Sequence, residues 1–155
     1  MTTLIKGQDI RTVTLGISVS RAAALLPATA YGALFTVSVG KVLVSSLVGE
    51  VVVAMPATTN TTKVTGTPTA GTAVDWTSAT STASAEVGTV ITLAVTAGGA
   101  LIVANAGAGN IIPDAGRVAQ IGTIGVTTSG TAATGTVKWT LTYVPLDPGA
   151  TVVAA

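Results

Sequence analysis

TGTVKWTLTYVPL, residues Thr134 to Leu146, alternates large and polar side chains with a period of two. Val137, Trp139, Leu141 and Tyr143 fall on one face, and Lys138, Thr140 and Thr142 on the other. Val144 ends the alternation before Pro145. A period of two is that of an extended strand, whose successive side chains point to opposite sides of a sheet. Two of the chain's few aromatic residues share the apolar face. This strand therefore needs an apolar layer to pack against, with Trp139 and Tyr143 as its anchors.

Other segments supply that layer. YGALFTVSV, from Tyr31, leads through Gly40 into KVLVSSLVGEVVVA, where Val42, Val44, Ser46 and Val48 alternate with Leu43, Ser45 and Leu47. Both faces start largely apolar, as in a covered or central strand. Gly49 is expected to form a bulge that lets Glu50 reach solvent. TVITLAV and ALIVANA, joined by a Gly-Gly turn, read as a hairpin. GAGNIIPDAG reads as a loop, and RVAQIGTIGVT as one strand bent at Gly122 and Gly125. The stretch from Pro56 to Gly88 is polar. TTKVTGTPT within it is expected to be a solvent-facing strand, and GTAVDW a further strand or a turn. Thr77 to Ala85 is expected to be an exposed loop, and Trp76 to cap one end of the core. LDPGATVVAA begins with an Asp-Pro-Gly turn and continues as an edge strand or a segment lying on a partner.

The sum is about seven or eight short strands separated by turn signals, with little helix. This predicts a mainly β protein, an antiparallel β-sandwich or jelly-roll-like domain with an N-terminal arm. Residues 1–29 are expected to be the arm and residues 30–155 the sandwich. Arg11 to Val19 alternates briefly, and SRAAALL favours one or two helical turns ended by Pro27. The region orders on a neighbour in one reading and is an ordinary first strand in the other.

Composition limits the function. Of 155 residues, 8% are charged and 3% aromatic while 48% are hydrophobic, and the formal net charge is +1. A surface this neutral and hydroxyl-rich points to coverage in an assembly rather than to a free, concentrated monomer. The cations Lys6, Arg11, Arg21, Lys41, Lys63, Arg117 and Lys138 are scattered, which argues against nucleic-acid binding. Val87 to Pro113 is long enough to cross a bilayer, but its glycines, threonines and strand-like alternation argue against a membrane span. Arg21 interrupts the apolar core a signal peptide would need before LLPATA.

Candidates for chemistry are few. The chain has no histidine and no cysteine. That removes Ser-His-Asp and Cys-His triads, HExxH zinc sites, thiolate metal sites and disulfides. Asp75 and Glu86 flank a polar loop and are the best placed acids for a glycosidase pair. Acids placed singly in turns are more often solvating residues. Lys41 lies near Ser45 and Ser46, but residues four apart on a strand are ~13 Å apart, too far for a Ser-Lys dyad. Gly107 and Gly109 lack the third glycine of a dinucleotide fingerprint, and Pro113 opposes a helix there. Asp114 lacks the acidic neighbours of an EF-hand. Asn60-Thr61-Thr62 matches a glycosylation acceptor, a frequent pattern in threonine-rich sequence. No residue is assigned as catalytic, cofactor-binding or metal-binding, and no enzyme is expected.

Three stretches carry a resemblance: Arg21 to Val51, the threonine- and glycine-rich middle, and Gly122 to Val152 with its VKWTLTYVPL-x-PGA ending. In these the chain resembles small structural proteins of tailed bacteriophage virions, in particular capsid decoration or minor head proteins of actinobacteriophages. The resemblance implies a non-enzymatic protein, assembled in the host cytoplasm, that binds the major capsid protein on the virion surface. It also implies a homo-oligomer, with a trimer favoured, and no cofactor. A head fibre, tail-tube or host-binding virion protein is the alternative.

Overall fold

The structure, a computed structural model, describes residues 6–58, 60–105, 116–130 and 134–155. One helix, α1 (Gly7–Leu15), precedes the strands. These are β1 (Ile17–Leu25), β2 (Tyr31–Ser38), β3 (Val42–Val53), β4 (Asn60–Pro68), β5 (Val74–Asp75) and β6 (Thr80–Ser81). They continue with β7 (Val90–Thr92), β8 (Ile102–Ala104), β9 (Arg117–Ala119), β10 (Gly122–Gly130), β11 (Thr136–Pro145) and β12 (Thr151–Ala154). They form two six-stranded sheets, every pair of named strands antiparallel. The first runs β1-β11-β3-β7-β8, with β9 beside β7 on the same edge of β3. The second runs β12-β2-β10-β4-β5, with β6 also on β4. The mainly β sandwich is therefore as expected. Five short strands, β5 to β9, bring the number among the described residues to twelve.

β11 lies between β1 and β3, and its apolar face fills the space between the sheets. Val137, Trp139, Leu141 and Tyr143 are all buried, while Lys138 is exposed. Phe35, Val37, Val64, Ile124 and Val126 meet them from the second sheet in one continuous core.

β3 is central, as its two apolar faces suggest, but its phase changes along the strand. Thr142 pairs with Ser46 and Tyr143 with Val44, so Ser45 is an extra residue. Its hydroxyl donates to the Thr142 carbonyl. This bulge turns Leu47 and Val51 inward after Val42 and Val44. Gly49 is not a bulge. It pairs in register with Trp139 and leaves room for the indole.

The N-terminal region differs from its local pattern. The helix is Gly7–Leu15, and SRAAAL belongs to β1, paired with β11 from Ile17↔Tyr143 to Leu25↔Thr136. Ile17 and Val19 pack on the core. Alanine and leucine favour a helix locally, but β11 offers an unpaired edge whose ladder outweighs that preference. Of the two readings of this region, residues 17–25 take that of a first strand. α1 buries nothing.

Three further expectations are corrected. RVAQIGTIGVT is two strands in different sheets, β9 on β3 and β10 on β2, with the chain crossing between sheets at Gln120 and Ile121. TTKVTGTPT is not solvent-facing, since Asn60, Thr62 and Val64 of β4 are fully buried. Thr77, Thr82 and Ala85 are buried as well, so the run from Thr77 is not an exposed loop. Threonine misleads here because its hydroxyl can be satisfied inside. Thr62 and Thr82 bond each other at 3.1 Å, and Thr77 Oγ1 accepts the Val64 N–H at 2.9 Å. The TVITLAV–ALIVANA hairpin is present as β7 and β8, and the tail forms an edge strand, β12 on β2.

Candidate functional site

One end of the sandwich collects several strand ends. Pro145 pairs with Val42, Ala119 with Val42, Gly122 with Val37 and Pro68, and Thr151 with Ser38. Ile17 pairs with Tyr143 two residues away, so α1 leaves the body at this same end through Gly16. Gly16, at φ 77, ends the helix by donating its N–H to the Thr12 carbonyl at 2.9 Å.

The end exposes several apolar side chains beside the polar Lys41, Thr69 and Gln120. Val39, Ile121 and Leu146 are exposed around it, with Ile10, Val13 and Leu15 on the helix. Val39 has a φ of 70 and is 70% exposed. A β-branched residue in the left-handed region is strained, and it gains no burial in return. The adjoining turn is well tied. The Lys41 N–H donates to Asp147 Oδ2 at 2.8 Å, the Leu146 N–H to the Lys41 carbonyl at 3.0 Å, and the Ala150 N–H to the Asp147 carbonyl at 3.1 Å. The Asp-Pro-Gly signal thus fixes a turn whose carboxylate also caps the crossing from β2 to β3 between the sheets.

On the other lateral side of this end, where β9 faces β4 and β5, lies a cleft of about 280 Å³. Trp76, 8% exposed, forms part of its wall above Gly66. The opposite flank, β1 over β12, is closed by Arg21, whose Nε donates to the Ala155 carbonyl at 3.0 Å.

The residues weighed for chemistry are placed as follows. Asp75 accepts hydrogen bonds from Lys63 Nζ at 2.6 Å and Thr65 Oγ1 at 2.9 Å. The Lys63 hydrogen bond, above all, holds its carboxyl below the usual range; partial burial opposes this, and Thr65 and the lysine charge add to the lowering. An acid held ionised by a lysine is poorly suited to donate a proton. Glu86 sits in a turn whose carbonyl accepts the Thr89 N–H, on the β3–β7 side of the fold. The two acids belong to different sheets' surroundings, Asp75 in β5 beside β4 and Glu86 in the turn that leads into β7 beside β3. Ser45 donates to backbone at the β3 bulge, while Lys41 immediately precedes that strand. Asn60 is fully buried, so the folded chain does not present its acceptor pattern. Gly107, Gly109, Pro113 and Asp114 lie outside the described residues. Among the described residues, no three acidic side chains gather as metal ligands would, and no helix is long and apolar enough to cross a membrane.

Sequence reasoning missed the apolar end and the cleft. The turn signals at Gly40 and Asp147-Pro148-Gly149 were legible, but nothing local indicates that residues near 16, 40, 121 and 146 meet. No protein-family model, curated protein or solved structure matches the chain.

Proposed function

We propose that this chain is a non-enzymatic structural protein of a phage virion, decorating and stabilising the capsid by docking on the major capsid protein. The observation that carries this reading is the apolar end of the sandwich, with α1 projecting from it. A nine-residue helix with no buried residue has little reason to persist alone in water. Laid on another surface it would bury Ile10 and Val13, which share one face, together with Val39 and Leu146. Low charge suits such a face, because few ionised groups lose their hydration on docking. At ~25 cal/mol per Å², a standard-sized interface gives a large gross term, much of it cancelled by ordering. Repetition of the contact on a symmetric shell multiplies what remains.

The test is copy number. Particles are purified on a density gradient, and the chain is quantified by mass spectrometry against the major shell protein. Copies in a simple ratio to the shell support decoration. A handful of copies moves the chain to a fibre, tail or host-binding position, and absence from particles ends the virion reading.

A further inference from the structure

The cleft beside Trp76 is built from both sheets. Gly66 and Ile124 pair across β4 and β10 on the inward face, and Ala119 reaches it from β9. Gly66 is the reason the indole fits. A Cβ there would stand 2.7 Å from Trp76 Nε1 and 3.1 Å from Cε2. The indole is also fixed through its backbone, since the Trp76 N–H donates to the Val64 carbonyl at 2.8 Å and its carbonyl accepts the Gly98 N–H at 3.0 Å.

Three properties of this cleft bear on what it binds. No charged side chain lines it. Its walls are mixed, with Pro68, Val74 and Val118 apolar and Thr67, Thr72 and Gln120 able to donate and accept hydrogen bonds. The indole N–H of Trp76 has no acceptor within the chain, and although the residue as a whole is more than nine-tenths buried, Nε1 is not sealed from solvent. It is therefore open to an acceptor, from water or from a bound molecule. At about 280 Å³ the cleft is just below the usual range for drug-sized ligands, which limits the occupant to about one ring.

We propose that this cleft is a binding site for a neutral sugar ring, such as the terminal pyranose of a glycan. A pyranose has the required mixture. Its C–H face packs on Pro68 and Val118, a ring or hydroxyl oxygen accepts from Trp76 Nε1, and its remaining hydroxyls meet Gln120 and Thr72. A charged ligand would find no counter-charge. A purely apolar one would leave the indole N–H buried without an acceptor, which costs more than the contact returns. The proposal does not depend on the virion reading. The cleft lies on the β4–β9 side and α1 on the β1 side, while Ala70 and Gln120 line both the cleft and the surface around Val39 and Ile121.

The chain has two tryptophans, hence two indole N–H resonances. The full chain, labelled with ¹⁵N, is titrated with the methyl glycosides of glucose, galactose, mannose and N-acetylglucosamine. We expect at least one to move the Trp76 indole resonance saturably, with a Kd on the order of 1 mM. Trp139, sealed in the core, stays in place. Gln120→Ala weakens binding by about 2- to 10-fold, the loss of one neutral hydrogen bond. Ala70→Phe, at the cleft wall, abolishes it while the Trp139 resonance reports an intact fold. The proposal is overturned if none of the four glycosides moves the Trp76 resonance, or if benzyl alcohol or glucuronate moves it more strongly than every neutral glycoside.

Discussion

Gly49 of β3 stands directly across from Trp139 of β11, and the volume of its missing side chain is occupied by the indole. A Cβ at residue 49 would lie 2.8 Å from Trp139 Cζ3, with two further ring atoms at 3.0 Å or less. The ring is fully enclosed and has nowhere to turn. Gly49→Ala should therefore cost about 1–3 kcal/mol by overpacking. Trp139→Ala, which removes the ring itself, should cost ~3–5 kcal/mol. Urea unfolding of both variants measures this, and a Trp139→Ala protein as stable as the parent would refute the central place given to the ring.

Val39 should be replaceable with profit. Its left-handed backbone is tolerated far better by asparagine or glycine. Its side chain is exposed, so little packing is lost. Val39→Asn is expected to raise stability by about 1 kcal/mol. If Val39 also serves docking, the same variant binds its partner more weakly, and comparing melting temperature with particle binding separates the two effects.

Asn60 is fully buried with neither side-chain amide atom hydrogen-bonded. Asn60→Asp puts a carboxyl in that position, where burial without a donor raises its folded pKa above the unfolded one. Such a group favours folding relatively more below the ordinary carboxyl range, and that advantage is lost as pH rises. The stability gap between variant and parent should therefore widen from pH 4 to pH 7. Equal gaps at both values would place residue 60 in a wetter environment.

Asp75 behaves in the opposite sense. Its carboxyl is lowered mainly by the Lys63 hydrogen bond, so its contribution is present above the ordinary carboxyl range and is lost as pH falls through the lowered value. Both side chains are partly solvated, at 32% and 47% exposure, so screening keeps the contribution below about 1 kcal/mol. Asp75→Asn should lose that small amount at pH 7 and progressively less as pH falls below the ordinary carboxyl range. Added salt should shrink the difference at pH 7.

The α1 helix allows stability and docking to be separated. Ile10→Ser combined with Val13→Ser should change the unfolding free energy by less than about 0.5 kcal/mol, because neither side chain is buried. The same pair should reduce association with the particle. Removing residues 1–29 is a poorer experiment, since it also removes β1 and exposes the edge of β11. Unchanged particle binding by the double variant would exclude the helix from the docking face.

The legible parts of this fold were those specified by short-range pattern. The alternation around Trp139, the β7–β8 hairpin and the Asp147-Pro148-Gly149 turn each contain their own information. The misread parts depend on partners far away in sequence. SRAAAL is a strand because β11 lies beside it, and Thr62 is an interior residue because Thr82 returns to meet it. The crossing at Gln120 leaves no mark in a run of residues that could continue as one strand. The cleft was hidden for the same reason. Gly66 reads as part of a solvent-facing strand and Trp76 as an end-cap, and only the stacking of the indole on Gly66 forms a wall.

The position of β11 between β1 and β3 also governs how the chain can be made. Ile17 and Val44 both wait for Tyr143, more than ninety residues downstream of either. Until residues 136–145 have left the ribosome, the first sheet has no middle, and β1 and β3 present open edges to every other nascent chain nearby. Pairings this distant close slowly. A chain truncated before Thr136 therefore does not yield a smaller sandwich. It yields a sticky intermediate, and assembly of the finished protein has to begin after translation of its last long strand.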